Sequence, residues 1–389
     1  MDIENILTDL SKTKFKQFSL NFKNVQSFDP NLIKLLDRME DSFKKNIELE
    51  RMQNISSNKL VKKFKKFNKI FNNTKESEFE KSLDKMNDAV SYKLLIDNNE
   101  IQINFLLSEH KQNKTLVPVI LYAIHVFGYT FPYNYNGLII DISLDNFARD
   151  INFIEIKKIL KNNYLKAVDL LQKNSSALTV SGVTEVSKNS IILTKSEEIT
   201  KLLFHELVHY IGLDRELVYC AKNNNIGFRV INKLNLYEAY AEFMSIILNS
   251  AYQTIHISSI TKINKYDLFT KIIYAELQYS LYLSSNVLKL YGYDKNTYTD
   301  FFSNNLVEIE SPIAVWEYIL LRTQLLININ EVAKLVGDTW IIHANDCENF
   351  LELTKISSHF INDLLFFMSN TEPINNLSYT MVEVDWNKI

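Results

Sequence analysis

The chain has 389 residues, of which 46% are hydrophobic and 23% are charged, and its formal net charge is −3 at pH 7. This composition is ordinary for a globular protein and excludes a general attraction to nucleic acid or anionic membranes based on net charge alone. Glycine and proline number 7 and 5, a scarcity that favours helices over tight turns. The abundance of Asn, Ile, Lys, Tyr and Phe is typical of an AT-rich genome, such as that of a low-GC bacterium, a protozoan or a large DNA virus.

The two cysteines, Cys220 and Cys347, bear on the compartment. Two thiols in a chain of this length predict a reduced state, and therefore the cytoplasm or another reducing compartment, which for a viral protein means the host cell cytoplasm or the virion. The first residues carry acids and no apolar core, so no signal peptide is expected. The uncharged segment 116–140 is interrupted by Pro118 and Gly128, which predicts a buried helix and a turn and no integral membrane segment.

Residues 1–90 are polar, rich in Lys and Asn, and carry apolar residues at helical spacing. One helix is expected to start at Pro30 and to continue to about Met52. Two further helices are expected at 57–71 and 76–90. The composition then changes to strand-like segments, so we place a domain boundary near residue 90 and predict a helical, basic N-terminal region before it.

The predicted helix 57–71 interleaves apolar residues with six lysines: Lys59, Lys62, Lys63, Lys65, Lys66 and Lys69. A basic amphipathic helix of this kind could lie on an anionic membrane, bind nucleic acid or dock on an acidic partner. The favoured interpretation is that its Phe residues pack on the body of the protein while the lysines stay solvated, because no Arg or Trp accompanies them. An anionic partner at Lys59–Lys69 is therefore the weaker of the two hypotheses.

Residues 91–232 are predicted to form an α/β lobe. Its expected elements are a β-hairpin at 92–107 with a turn at Asn98-Asn99, a buried helix at 115–127, a strand at 137–144, an amphipathic helix at 153–173, and strands at 178–184 and 190–193.

The segment Phe204–Tyr210 contains the motif HExxH, formed by His205, Glu206 and His209. Residues four apart lie on one face of a helix, about 5–6 Å from each other, so both imidazoles can bind one ion. Neutral imidazole suits Zn²⁺, and the intervening carboxylate can take a proton from a metal-bound water. The helix is expected at 195–211, with a capping box of Thr194 and Glu197 at its start and Gly212 at its end.

A second helix downstream carries Glu238 and Glu242, four residues apart and separated by small alanines that permit close helix packing. From spacing alone, one carboxylate can bind the metal, and the other can accept a hydrogen bond from a ligand imidazole. No His follows at the spacing that a three-His site needs. Residues 233–389 are otherwise predicted to be mainly helical, with a short strand near 379–384.

With HExxH followed by a Glu-x-x-x-Glu helix, residues 178–250 resemble the gluzincin metallopeptidases, the thermolysin-like group. The sequence departs from thermolysin in lacking Asn before the first glutamate and in having Glu where thermolysin has Asp. The resemblance implies that Glu238 is the third zinc ligand with His205 and His209, that Glu242 orients His205, and that Glu206 is the general base. It also implies that an edge strand, here 177–183, pairs with extended substrate.

The resemblance thus implies an α+β, zincin-like fold with a small mixed sheet, a helical N-terminal region and a helical C-terminal lobe. The implied function is a zinc-dependent metallopeptidase acting on a protein or peptide substrate. The alternative is a non-catalytic zincin-fold interaction protein or particle component. The donor that stabilises the oxyanion is left open among several residues: Tyr219, Arg229, Tyr237, His256, Tyr291, Tyr293 and His343.

Overall fold

The computed structural model describes residues 7–9, 11–12, 14, 27–52, 55–71, 78–108, 111–144, 181–220, 229–230, 235–290, 293–302, 308–309, 315–371 and 380–386. The helix expected at 153–173 and the strand residues expected at 177–180 lie outside these ranges. The described part of the chain is a mixed α/β structure with a six-stranded sheet and many helices.

The sheet has the strand order β1-β2-β3-β4-β6-β5, so β1 and β5 are the edges among the strands that the structure describes. Its strands are β1 (Glu48–Arg51), β2 (Asp88–Ile96), β3 (Asn99–Leu107), β4 (Leu138–Leu144), β5 (Gly182–Glu185) and β6 (Ser190–Leu193). The central pairs β3–β4 and β4–β6 are parallel, whereas β1–β2, β2–β3 and β5–β6 are antiparallel. A short parallel pair, β7 (Arg229–Val230) with β8 (Glu308–Ile309), is separate from this sheet.

Both faces of the sheet are covered, so β3 and β4 are buried along most of their length. In β3, Ile103 and Phe105 belong to the main core on one face, whereas Leu106 belongs to a smaller cluster on the other. The main core is packed by α1 (Pro30–Phe43), α4 (Lys111–Thr130) and α5 (Ile199–Ile211), and the smaller cluster by α2 (Ser57–Phe71) and α3 (Glu78–Leu83).

The hairpin of β2 and β3 is present, with its turn one residue earlier than expected. Ile96 pairs with Asn99, so the loop is Asp97-Asn98. Asp97 has φ 52°, which is the left-handed conformation that a two-residue hairpin loop requires at its first position.

Two of the helices predicted before residue 90 are too long. The helix from Pro30 ends at Phe43, and the residues expected to extend it form β1, which pairs with β2. The helix expected at 76–90 is too long for the same reason. Its last residues belong to β2, which pairs with β3 from Asp88 onward, and the helix itself is α3. Sheet pairing therefore overrides the local helical pattern in both segments, and the boundary expected near residue 90 falls inside β2.

The capping box predicted for the HExxH helix is wrong. Thr194 continues the chain from β6, and its hydroxyl donates to the carbonyl of Ser181. The helix α5 starts later, at Ile199, after Glu198 in a left-handed conformation with φ 57°. Its end is as predicted, because Gly212 has φ 74° and its N–H donates to the carbonyls of Val208 and His209.

The second half of the described chain is mainly helical, as predicted. After α6 (Leu217–Cys220), its helices are α7 (Leu236–Thr261), α8 (Lys265–Leu290), α9 (Val315–Ile327), α10 (Ile329–Val336), α11 (Cys347–Thr354) and α12 (Ser358–Asn370). Of the strand expected near 379–384, the described residues show one isolated bridge, between Leu7 and Val384. That segment is held by the buried Glu276, which accepts from the N–H groups of Met381 and Val382.

The expectation of two reduced thiols is wrong in this structure, because Cys220 and Cys347 form a disulfide with their Cα atoms 5.4 Å apart. The pairing depends on the packing of α6 against α11, which brings together residues separated by 127 positions. None of the helices in the described ranges is long and apolar enough to cross a bilayer.

Candidate metal centre

Helix α5 places the two histidines of the HExxH motif beside each other. The Nε2 atoms of His205 and His209 are 3.0 Å apart. Their side chains are 11% and 16% exposed, so the pair lies at the edge of the protein interior and not on its open surface. One turn of helix thus aims two imidazole nitrogens at a common point.

Helix α7 brings a carboxylate to the same point. The Oε2 atom of Glu238 is 3.2 Å from Nε2 of His205 and 3.5 Å from Nε2 of His209. A tetrahedral zinc ion with Zn–N bonds of about 2.0–2.1 Å places neighbouring donors about 3.3–3.4 Å apart. The triangle of three donor atoms therefore has a size that would fit such a metal ion.

Glu242 lies on the next turn of α7 and contacts the other nitrogen of His205. Its Oε2 atom is 3.1 Å from Nδ1 of His205, while its Oε1 atom accepts from Arg322 at 2.6 Å and from Lys201. A proton on Nδ1 leaves Nε2 with the lone pair that a metal needs. Burial opposes ionisation of Glu242, but Lys201, His205 and Arg322 outweigh burial and hold its pKa well below the ordinary value.

The carboxylate of Asp214 contacts Nδ1 of His209, just as the carboxylate of Glu242 contacts Nδ1 of His205. Its Oδ2 atom is 2.5 Å from Nδ1 of His209, and its side chain is 5% exposed. This role of Asp214 was not predicted from the sequence, although Asp214 follows the C-terminal Gly212 of α5 by two residues. An acidic residue directly after an HExxH helix is the signal that could have identified it.

The electrostatics of the centre favour a bound cation. Burial lowers the pKa of His205, but hydrogen bonds to Glu238 and Glu242 outweigh burial and raise it to about 9. The pKa of His209 is likewise raised well above its ordinary value, because Asp214 and Glu238 outweigh burial. Burial opposes ionisation of Glu238 too, yet the two imidazoles lower its pKa. The acidic surroundings therefore stabilise positive charge at this point.

Glu206 is buried beside the two histidines and contacts the edge strand β5. Its Oε2 atom accepts a hydrogen bond of 2.7 Å from the hydroxyl of Thr184. Burial raises the pKa of the Glu206 carboxyl above its ordinary value, against the opposing effects of the two imidazoles and of Thr184. A carboxylate with a raised pKa is better suited to accept and return a proton near neutral pH.

The candidates for an oxyanion donor are dispersed. The ring of Tyr237 lies 6.0 Å from that of His209, whereas Tyr219 is 67% exposed. His256 lies about five turns, or about 27 Å, beyond Glu238 along α7 and is enclosed by aromatic rings. The side chain of Arg229 and all of Tyr291 lie outside the described residues. Neither Tyr293 nor His343 has a described contact with the three donors.

A protein of Acanthamoeba polyphaga mimivirus, named "Uncharacterized protein R210", is 40% identical to the chain over 378 residues, which are 96% of each sequence. The chain belongs to the family of this mimivirus protein. The likeness extends over both helices of the candidate metal centre, since it covers nearly the whole length of each chain. No family model and no solved structure match the chain.

Proposed function

We propose that the chain is a zinc-dependent metallopeptidase with a zincin-like fold. The observation that carries this proposal is the convergence of His205, His209 and Glu238 within 4.8 Å of one another, next to the buried carboxylate of Glu206. These are the described residues that could together hold a metal ion, and the side chain of Glu238 remains 28% exposed. This exposure is what an open coordination position requires, whereas a structural zinc site would be closed by a fourth protein ligand.

In this proposal each residue has a separate role. His205, His209 and Glu238 would hold zinc, which when bound supplies a Lewis acid that increases the acidity of water and polarises a carbonyl group. Glu206 removes a proton from the attacking water and returns it to the leaving nitrogen of the cleaved peptide bond. Glu242 and Asp214 keep the imidazoles in the tautomer that presents Nε2 to the metal.

The proposed substrate is an extended peptide segment. Among the described residues, the strand β5 pairs only with β6 and so forms an edge of the six-stranded sheet. It contacts Glu206 through Thr184. An edge strand can bind an extended chain by main-chain hydrogen bonds. A peptide aligned along β5 would therefore have a backbone carbonyl close to the general base.

The first test is the metal content and peptidase activity of Glu206→Gln. We expect this variant to retain one zinc per chain and to lose peptide cleavage by at least about 10²-fold, because the base is absent while the ligands are intact. Glu331→Gln, an exposed glutamate on α10, is the matched control and should behave like the wild type. Zinc is measured by atomic emission, and cleavage by mass spectrometry of a mixed peptide library.

Four results would contradict the proposal. Well under one zinc per purified chain, or zinc content unchanged in His205→Ala and Glu238→Ala, would show that these residues do not form a metal site. Full cleavage by Glu206→Gln would show that the assigned base is wrong. Zinc binding without cleavage of any peptide would favour the non-catalytic alternative.

A second activity, binding to an anionic polymer, is favoured by the lysines of α2. Two of its six lysines form ion pairs within the protein: Lys63 pairs with the buried Asp141, and Lys65 pairs with Asp84. The other four are exposed and form no described ion pair, and they follow one face of the helix: Lys59, Lys62, Lys66 and Lys69. Phe64 and Phe67 between them pack inward, and Ile70 is the large apolar side chain of this helix that is described as exposed. A single exposed apolar side chain is a small surface for insertion into a membrane, so we propose a nucleic acid backbone as the partner.

The test replaces these four lysines with glutamine and measures binding of a double-stranded DNA fragment at several salt concentrations. We expect the wild type to bind with a steep salt dependence and the variant to lose most of its affinity, because each released counterion contributes to the slope. The control replaces four exposed lysines elsewhere: Lys262, Lys271, Lys295 and Lys355. Equal losses in both variants, or binding to anionic vesicles alone, would contradict the proposal.

A further inference from the structure

Two residues of the edge strand β5 contact the carboxylate of Glu206. Alternate residues of a strand project from the same face, and the face of β5 that carries Gly182 and Thr184 lies against α5. The intervening Val183 projects to the opposite face, where it packs on the smaller hydrophobic cluster. The strand β5, which would bind the substrate, therefore also packs against the general base Glu206.

The hydroxyl of Thr184 is within hydrogen-bond distance of two oxygens of Glu206. It lies 2.7 Å from Oε2 and 2.9 Å from the main-chain carbonyl oxygen. A hydroxyl has a single proton and donates it to one acceptor at a time. Since a bond to an ionised carboxylate is shorter and stronger than one to a neutral carbonyl, Oε2 is the preferred acceptor.

The second oxygen of the carboxylate fills the space that Gly182 leaves by having no side chain. A Cβ atom at this position would lie 2.6 Å from Oε1 of Glu206 and 3.0 Å from both Cδ and Cγ. Contacts this short would force the carboxylate out of its observed place. One oxygen of Glu206 is thus held by a hydrogen bond, and the other fits only against glycine.

We propose that Thr184 is a positioning residue for the general base and that Gly182 is required for the same placement. This inference rests on the proposed peptidase function. The carboxylate must lie at one side of the attacking water, and a displacement of about 1 Å in such a site can lower the rate by about 10²-fold. The hydroxyl of Thr184 supplies the fixed contact that prevents this displacement, while the metal ligands remain untouched.

The test compares four variants of the zinc-loaded full chain. Thr184→Val keeps the shape of the side chain and removes the hydroxyl, whereas Thr184→Ser keeps the hydroxyl. We expect Thr184→Val to lower kcat about 10–100-fold with KM within about threefold, and Thr184→Ser to restore kcat to within about threefold of the wild type. Gly182→Ala should resemble Thr184→Val. Thr270→Val, on α8 and away from the centre, is the control and should leave kcat unchanged.

A second measurement does not depend on activity. The variants Thr184→Val and Glu206→Gln and their double combination form a cycle of unfolding midpoints in denaturant, measured with and without zinc. Residues in contact give non-additive effects, so we expect the double variant to differ from the sum of the two single changes. Zinc content should remain at one per chain in all the variants, because none removes a ligand.

The outcomes separate this inference from the proposed function. A wild type that cleaves peptides together with a Thr184→Val of unchanged kcat overturns the role of Thr184 and leaves the peptidase function intact. The same conclusion follows if Thr184→Ser is as slow as Thr184→Val, or if the cycle is additive. A zinc-loaded wild type that cleaves no peptide overturns the peptidase function, and the positioning role falls with it.

Discussion

Asp214 lies beyond the end of helix α5, yet its carboxylate contacts Nδ1 of His209. The corresponding partner of His205 is Glu242, which also neutralises the buried Lys201 and Arg322. Removing Glu242 would take a charged partner away from two buried cations and would destabilise the fold. Asp214 has no described cationic partner besides His209, so it is the residue through which metal affinity can be changed with little effect on folding.

We expect Asp214→Asn to weaken zinc binding by about 10–100-fold, which is the usual effect of losing a carboxylate behind a ligand histidine. The amide is the same shape as the carboxylate, but it holds the imidazole N–H less strongly. Competition with a chromophoric chelator measures the affinity, and Glu216→Gln, in the same loop, is the control. An unchanged zinc affinity would mean that Asp214 does not support the metal centre.

At the level of the elements, helix α7 carries another histidine, His256, towards its C-terminal end. The pKa of His256 is lowered, whereas the pKa of His205 in the metal centre is raised. The ring of His256 is surrounded by those of Phe43, Tyr252 and Trp386, with centroids 4.7, 4.7 and 5.1 Å away. Its Nε2 atom is buried without a described hydrogen-bond partner. Burial lowers the pKa of His256 to about 4, so this imidazole is neutral in the folded protein across the physiological range.

The low pKa of His256 predicts a loss of stability in acid. The unfolded chain binds a proton at this residue below a pH of about 6.5, whereas the folded chain does so only below about 4. The stability contributed above pH 6.5 is therefore lost as the pH falls towards 4, and the full effect is of order 3 kcal/mol. We expect His256→Phe to flatten this part of the pH profile of the free energy of unfolding.

Denaturant unfolding between pH 4 and 7 measures the effect, with His343→Phe as the control because His343 is exposed. Zinc should be present at saturating concentration throughout, so that the titration of His205 and His209 does not contribute differently to the two proteins. Identical profiles for wild type and His256→Phe would show that the aromatic surroundings do not suppress protonation.

At the scale of the whole molecule, the disulfide between Cys220 and Cys347 ties α6 to α11. The loop that holds Asp214 leads directly into α6, and the carbonyl of Leu213 in that loop accepts from the N–H of Ile342. The disulfide and this hydrogen bond thus link the C-terminal helices to the segment that follows α5, the helix with the two histidines.

A disulfide that closes a loop of 127 residues restricts the unfolded chain strongly. We expect Cys220→Ser to lower the free energy of unfolding by about 2–5 kcal/mol and to make the protein insensitive to reductant. The measurement is thermal unfolding with and without dithiothreitol. The double variant Cys220→Ser/Cys347→Ser controls for exposed thiol chemistry and should match the single variant. A wild type whose melting temperature is unaffected by reductant would contradict the prediction.

Local patterns predicted most of the described elements, and they failed where a distant segment competed. The hairpin of β2 and β3, the buried α4 and the end of α5 at Gly212 were all recognisable, because each depends on neighbours along the chain. The segment 48–51 has the apolar spacing of a helix but forms β1, since its backbone pairs with β2. Thr194 has the sequence of an N-cap but bonds to Ser181 across the sheet.

For the metal centre, the HExxH helix and the downstream pair of glutamates could be predicted from the sequence, because both patterns lie within single helices of regular spacing. The folded structure places Oε2 of Glu238, and not a carboxylate oxygen of Glu242, at the two Nε2 atoms, because this position depends on how α7 packs against α5. It also decided the contacts of Asp214 and Thr184, and the pairing of the cysteines, because these residues meet through packing that no local periodicity encodes.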